Sequence, residues 1–107
     1  FSKEIVLFFK KILQECEDNQ IQVVLMKSPI TREYYKQADR LINIKHLYSQ
    51  VFQIARKFRN IHLLDFQTLY FKNESGLFWD PQHLNKIGAS KFSALVKNHL
   101  VQHKLIR

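Results

Sequence analysis

Ile21-Gln22-Val23-Val24-Leu25-Met26 and Ile61-His62-Leu63-Leu64-Asp65-Phe66 are the two stretches whose reading decides the fold. The first is short, β-prone and almost wholly apolar, the pattern of a strand buried on both faces in a parallel sheet under helices. Lys27-Ser28-Pro29-Ile30 stops it, because Pro29 cannot donate to a ladder and biases Ser28 away from helical geometry. The second is the other strand candidate. Three stretches around the two strands have helical spacing.

Upstream, Ile5, Phe8, Phe9, Ile12, Leu13 and Cys16 recur on one face, with Lys10, Lys11, Gln14 and Glu15 mostly opposite. This predicts an amphipathic helix over 2–17, ended by Asp18-Asn19-Gln20. Between the strands, 31–60 is the longest helical stretch, with a stripe of Leu41, Ile44, Tyr48, Val51, Phe52, Ala55 and Phe58; Thr31, Tyr34 and Tyr35 could form a short turn before it. Residues 67–71 are an apolar turn or short helix, and 72–76 have loop composition. Asn85 is a suitable N-cap for a last helix over 86–102, whose inner face is Ile87, Phe92, Leu95, Val96 and Leu100. The order helix, strand, helix, strand, helix argues for α/β with parallel strands and right-handed crossovers. Two strands leave sheet edges open. The chain therefore reads as a single domain over 1–107 or as part of a larger one, with further strands or a second copy beside it.

Bulk properties narrow the classes. With 46% hydrophobic and 24% charged residues the chain is globular rather than disordered. Two Gly and two Pro leave little room for long loops or an all-β design. No apolar run reaches the roughly 18 residues of a membrane span. Phe1-Ser2-Lys3-Glu4 has no signal-peptide plan and no Met precedes it, which reads as a chain cut from something longer. A lone Cys16 excludes an internal disulfide and suits the inner face of a helix. The net charge of +8 is dispersed, with Lys36, Arg40, Lys45, Arg56, Lys57 and Arg59 against Asp39, then Lys86, Lys91, Lys97, Lys104 and Arg107 with no acid. No Arg-rich run, zinc pattern or aromatic RNA-binding motif accompanies it, so a basic surface facing an anionic membrane or polymer is expected rather than specific nucleic-acid binding.

The chemistry-bearing stretch is Trp79-Asp80-Pro81-Gln82-His83-Leu84-Asn85. A general base needs an imidazole held in one tautomer with its other nitrogen free. A carboxylate three residues away in a tight turn can hold it so, and Pro81 would stiffen that turn. Asp80 and His83 are thus the candidate catalytic pair. The plain structural alternative makes Asp80 a turn residue and His83 a partly buried helix-start residue.

Asp80-x-x-His83-Leu84-Asn85, followed by Gly88-Ala89 and Phe92, resembles the last conserved block of the SGNH/GDSL hydrolases, nearest their envelope-associated acyltransferase and esterase branches. The specific likeness covers about Phe78–Phe92; the rest matches by order of elements. The resemblance implies the C-terminal part of a three-layer α/β/α, flavodoxin-like fold. It implies that Asp80 orients His83, and that His83 serves a Ser nucleophile attacking an acyl ester, with no cofactor. It points to the cell envelope or periplasm, and to an envelope glycan or lipid ester as substrate. The chain departs from the family in having no Gly-Asp-Ser and no Gly-x-Asn-Asp block, and its only glycines are Gly76 and Gly88. The nucleophile and oxyanion hole are therefore expected in an N-terminal half outside these residues, and 1–107 is expected to be inactive alone. The alternative function is a non-catalytic basic α/β module binding an anionic partner.

Other candidates have simpler roles. Ser28 is expected to cap the turn before Pro29, His62 to pack or lie at an edge, and Asp65 to cap a turn at its strand end. His99 and His103 have i, i+4 spacing that suits a metal, but no carboxylate or Cys joins them and lysines oppose a cation. Leu77, Phe78 and Trp79 could wall an acyl pocket or pack as core or lid.

Overall fold

The computed structural model describes residues 2–106. It is mixed α/β: α1 (Lys3–Asp18), β1 (Val23–Lys27), α2 (Arg32–Ile42), α3 (Ile44–Ala55), β2 (Ile61–Asp65), β3 (Phe78–Asp80), β4 (His83–Leu84) and α4 (Lys86–Gln102). β1 and β2 pair in parallel, Val23 opposite Ile61 through Lys27 opposite Asp65. β3 and β4 form a separate antiparallel hairpin.

Local chemistry sets most element ends. The Ser2 hydroxyl accepts the Ile5 N–H, the Thr31 hydroxyl that of Tyr34, and the Asn85 side chain that of Gly88, each satisfying a donor the first helical turn leaves free. Two expectations fail here. The stretch 31–60 is two helices, because Asn43 takes the left-handed conformation (φ 49°, ψ 64°). Asn tolerates that region better than other non-glycine residues. Its N–H closes α2 on the Asp39 carbonyl, and its side chain accepts the His46 N–H to open α3. The second helix ends at Ala55, and a turn through Asn60 (φ 62°) leads into β2. The β3–β4 hairpin was not anticipated either. Its strands are three and two residues long, too short for periodicity to register.

The core is thin. Leu13, Ile30, Ile44, Ala55, Leu64, Leu77 and Phe92 are its buried apolar residues. Phe92 meets Phe66 edge-on at 5.5 Å, seating α4 beside the end of β2. The expected inner face of α1 is only half used: Leu13 is buried and Phe9 half-buried, but Ile5, Phe8 and Ile12 are about 60% exposed. Ile87 of α4 is exposed as well. Both departures share one cause. A two-stranded sheet is too narrow to cover every apolar stripe laid against it, so Val24 and Met26 also keep over a third of their surface in solvent. The molecule is a slab of 43 × 38 × 17 Å with a radius of gyration of 15.5 Å. A compact domain of this length has a radius of gyration of about 13 Å. No helix among the described residues is long and apolar enough to cross a membrane.

Candidate active site

The Asp80–His83 pair is built by a two-residue turn. Asp80 ends β3, Pro81-Gln82 form the turn, and His83 starts β4 directly opposite. Proline's fixed φ suits the second position of such a turn. The Asp80 carboxylate accepts the Gln82 N–H at 2.9 Å, locking the turn from inside. Phe78 pairs with Leu84 and Asp80 with His83, so Trp79 is the extra residue of a β-bulge. Bulges of this kind re-aim side chains and recur beside active sites.

His83 Nδ1 lies 2.8 Å from one Asp80 carboxylate oxygen and 2.9 Å from the other. With Asp80 ionised, Nδ1–H donates and the neutral ring carries its free lone pair on Nε2. The Gln82 N–H is the largest influence and holds the Asp80 carboxyl below its ordinary value; desolvation opposes it, and the bond and charge of His83 add to the lowering. The carboxylate is therefore ionised at neutral pH. The His83 side chain is 63% exposed and that of Asp80 41%. Among the described residues no hydroxyl hydrogen-bonds to His83.

Two anchors fix the turn against the rest of the molecule. The Pro81 carbonyl accepts both the N–H (3.0 Å) and the hydroxyl (2.7 Å) of Thr31, which follows β1. Asn85 donates its N–H to the Leu77 carbonyl (2.9 Å) and its side-chain amide to the Gly76 carbonyl (2.8 Å), besides capping α4. Arg32 N–H meets the Glu74 carboxylate at 2.6 Å, and the Ile30 N–H donates to the Gln67 carbonyl. The pair therefore stands beyond the carboxyl end of β1, the region where open α/β sheets hold ligands. Thr31 tethers the turn, a contact the sequence did not reveal. Its capping signal was visible, but its bond to a carbonyl fifty residues away was not.

The other candidates separate. Leu77 is core, while Trp79 is 83% exposed on the bulge, so the three aromatic and aliphatic residues wall no common pocket. Ser28 is exposed and its hydroxyl caps nothing among the described residues. His62 pairs with the Gln22 side chain at 2.6 Å. Asp65 caps the turn after β2 through the Gln67 N–H (3.1 Å) and also meets Lys27 Nζ at 3.3 Å. His99 is half-buried with its ring edge-on to Phe66, and the His103 ring lies 4.3 Å from that of His99. No group of three or more His, Cys, Asp or Glu able to hold a metal occurs among the described residues. Cys16 is a free, partly buried thiol on α1. No protein-family model, curated protein or solved structure matches this chain.

Proposed function

We propose that this chain supplies the Asp–His half of a Ser-His-Asp triad in an SGNH-like acyl esterase or O-acyltransferase, and that the serine comes from polypeptide outside residues 1–107. The observation that carries the reading is the Asp80 carboxylate on His83 Nδ1 at 2.8 Å, with the ring exposed at a strand-end position. In this mechanism Nε2 takes the serine proton as the hydroxyl attacks an acyl carbonyl. Asp80 stabilises the imidazolium that forms, and the proton then passes to the leaving alkoxide. Transfer to an acceptor hydroxyl or hydrolysis by water completes the cycle by the same base. The substrate class is an acyl ester, of an envelope glycan or lipid by resemblance.

The finer architecture is part of the same proposal. The parallel β1–β2 pair, its helices and the hairpin form the C-terminal part of a three-layer α/β/α sheet. Open sheet edges, exposed Val24 and Met26, and the uncovered apolar face of α1 support this, since further strands and helices would bury them.

Purified 1–107 is expected to cleave p-nitrophenyl acetate no faster than its Asp80→Ala/His83→Ala double variant. A longer product of the same gene, carrying Gly-Asp-Ser after an upstream strand, is expected to turn over acyl esters and to lose on the order of a thousandfold or more with His83→Ala. Clear excess turnover by 1–107, or a coding sequence with no suitably placed serine, would sink the reading.

A further inference from the structure

The last helix carries a second apolar pattern besides the one that packs against the core. Ile87, Ala94 and Val101 recur every seven residues, just short of two helical turns, so they form one stripe along α4. The stripe runs about 21 Å. It lies in solvent: Ile87 is 60% and Val101 46% exposed, and Ala94 is exposed as well. Lysines flank it on both sides. Lys86 and Lys97, eleven residues apart, share the line on one side, and Lys91 stands on the other. All three are exposed, and none has a carboxylate partner among the described residues. Between residues 78 and 106 the only acid is Asp80, already engaged by His83 and by the Gln82 N–H.

Trp79 adds an independent observation. It is the one tryptophan of the chain, and the bulge leaves it 83% exposed. Its neighbour Phe78 pairs with Leu84, and Asn85 caps α4, so Trp79 stands at the N-terminal end of the helix, as Lys86 and Ile87 do. Exposed apolar groups rimmed by polar ones mark interaction sites. Tryptophan in particular is enriched where lipid meets water.

We propose that the outer face of α4, together with Trp79, docks on an anionic lipid membrane. The helix lies in the interface plane, with Trp79, Ile87 and Val101 at the acyl boundary and the lysines among the headgroups. An apolar stripe between lysines is the pattern of interfacial helices, and lysine stems are long enough to keep their charge in the headgroup layer. Charge selects the partner. A second copy of this face would set lysine against lysine. A nucleic acid would supply phosphates but no apolar phase for Trp79, Ile87 and Val101. Docking brings the Asp80–His83 turn, which follows Trp79 directly, to the membrane surface. The inference does not depend on the acyl-transfer reading: vesicle binding tests the one and ester turnover the other.

The test is Trp79 fluorescence of the chain, titrated with vesicles of phosphatidylcholine and phosphatidylglycerol in equal parts and with vesicles of phosphatidylcholine alone. The anionic vesicles are expected to give a saturable blue shift that about 0.5 M sodium chloride reverses, and the neutral vesicles none. Lys86→Gln/Lys91→Gln/Lys97→Gln should weaken binding by about a hundredfold, at roughly fivefold per lysine. Lys36→Gln/Arg40→Gln/Lys57→Gln removes the same charge from other elements and should weaken it by about threefold or less. Ile87→Gln/Val101→Gln keeps every charge and should cost about tenfold. All these side chains are exposed, so folding should be unaffected. The proposal is overturned by the absence of a blue shift, by equal binding to the two kinds of vesicle, or by equal losses in the two charge variants. It is overturned as well if Ile87→Gln/Val101→Gln binds as tightly as wild type, which would leave a charge-only contact that any polyanion makes. A blue shift that grows with protein concentration in the absence of lipid would give the stripe to a second copy and overturn it too.

Discussion

Replacing Gly88 by alanine should destabilise the protein, although helix propensity alone argues the opposite. Gly88 lies in the first turn of α4 and is buried. In an exposed helix interior, Gly→Ala stabilises by about 1 kcal/mol, because alanine has less backbone freedom to lose. Here an added Cβ would run into the Leu77 carbonyl, with the Leu84 side chain and the Leu77 carbonyl carbon close behind. The obstacle is backbone, so no rotamer change relieves it. That same carbonyl accepts the Asn85 N–H at 2.9 Å, which ties it in place. Overpacking of a well-filled site costs about 1–3 kcal/mol, and a backbone obstacle belongs at the upper end. Subtracting the propensity gain leaves a net loss of about 2 kcal/mol. For a domain of this size that is a fall of roughly 9 °C in Tm. Urea denaturation of wild type, Gly88→Ala and the exposed control Ser90→Ala measures it directly. A Gly88→Ala variant as stable as wild type or more so would refute the close approach of α4 to Leu77, and with it the seating of the hairpin that carries Asp80.

Asn43→Ala should cost about 1–2 kcal/mol, combining a left-handed backbone with a lost cap, whereas Asn43→Gly should cost only a few tenths. Thermal denaturation showing equal losses for both would contradict the left-handed joint between α2 and α3. For Asp80 the sign follows from the depressed folded value. Its carboxylate contributes stability that is fully present above the ordinary aspartate range and is lost as pH falls through the lower folded value. Carbon-13 NMR should find the Asp80 carboxyl titrating below a reference peptide, and titration at or above that reference would remove the hydrogen-bonded turn.

The turn chemistry at Asp80-Pro81-Gln82-His83 and the cap at Asn85 were legible because their partners lie two or three residues away. The bulge at Trp79 was not, since it depends on which residue of β4 faces Asp80. Nor was the loss of Ile5, Phe8 and Ile12 from the core. Periodicity tells which residues share a face, but burial depends on how much sheet lies under that face.

The same division runs through the whole molecule. Sequence alone determined the mixed helix and strand character, the places of the two paired strands, the cap at Asn85, and a carboxylate in reach of an imidazole, because each is a matter of neighbours along the chain. Tertiary structure alone decided the parallel register of Val23 with Ile61, the tether of Pro81 to Thr31, and the meeting of Lys27 with Asp65. These contacts span tens of residues, and only packing the helices onto the sheet fixes which distant groups share one space.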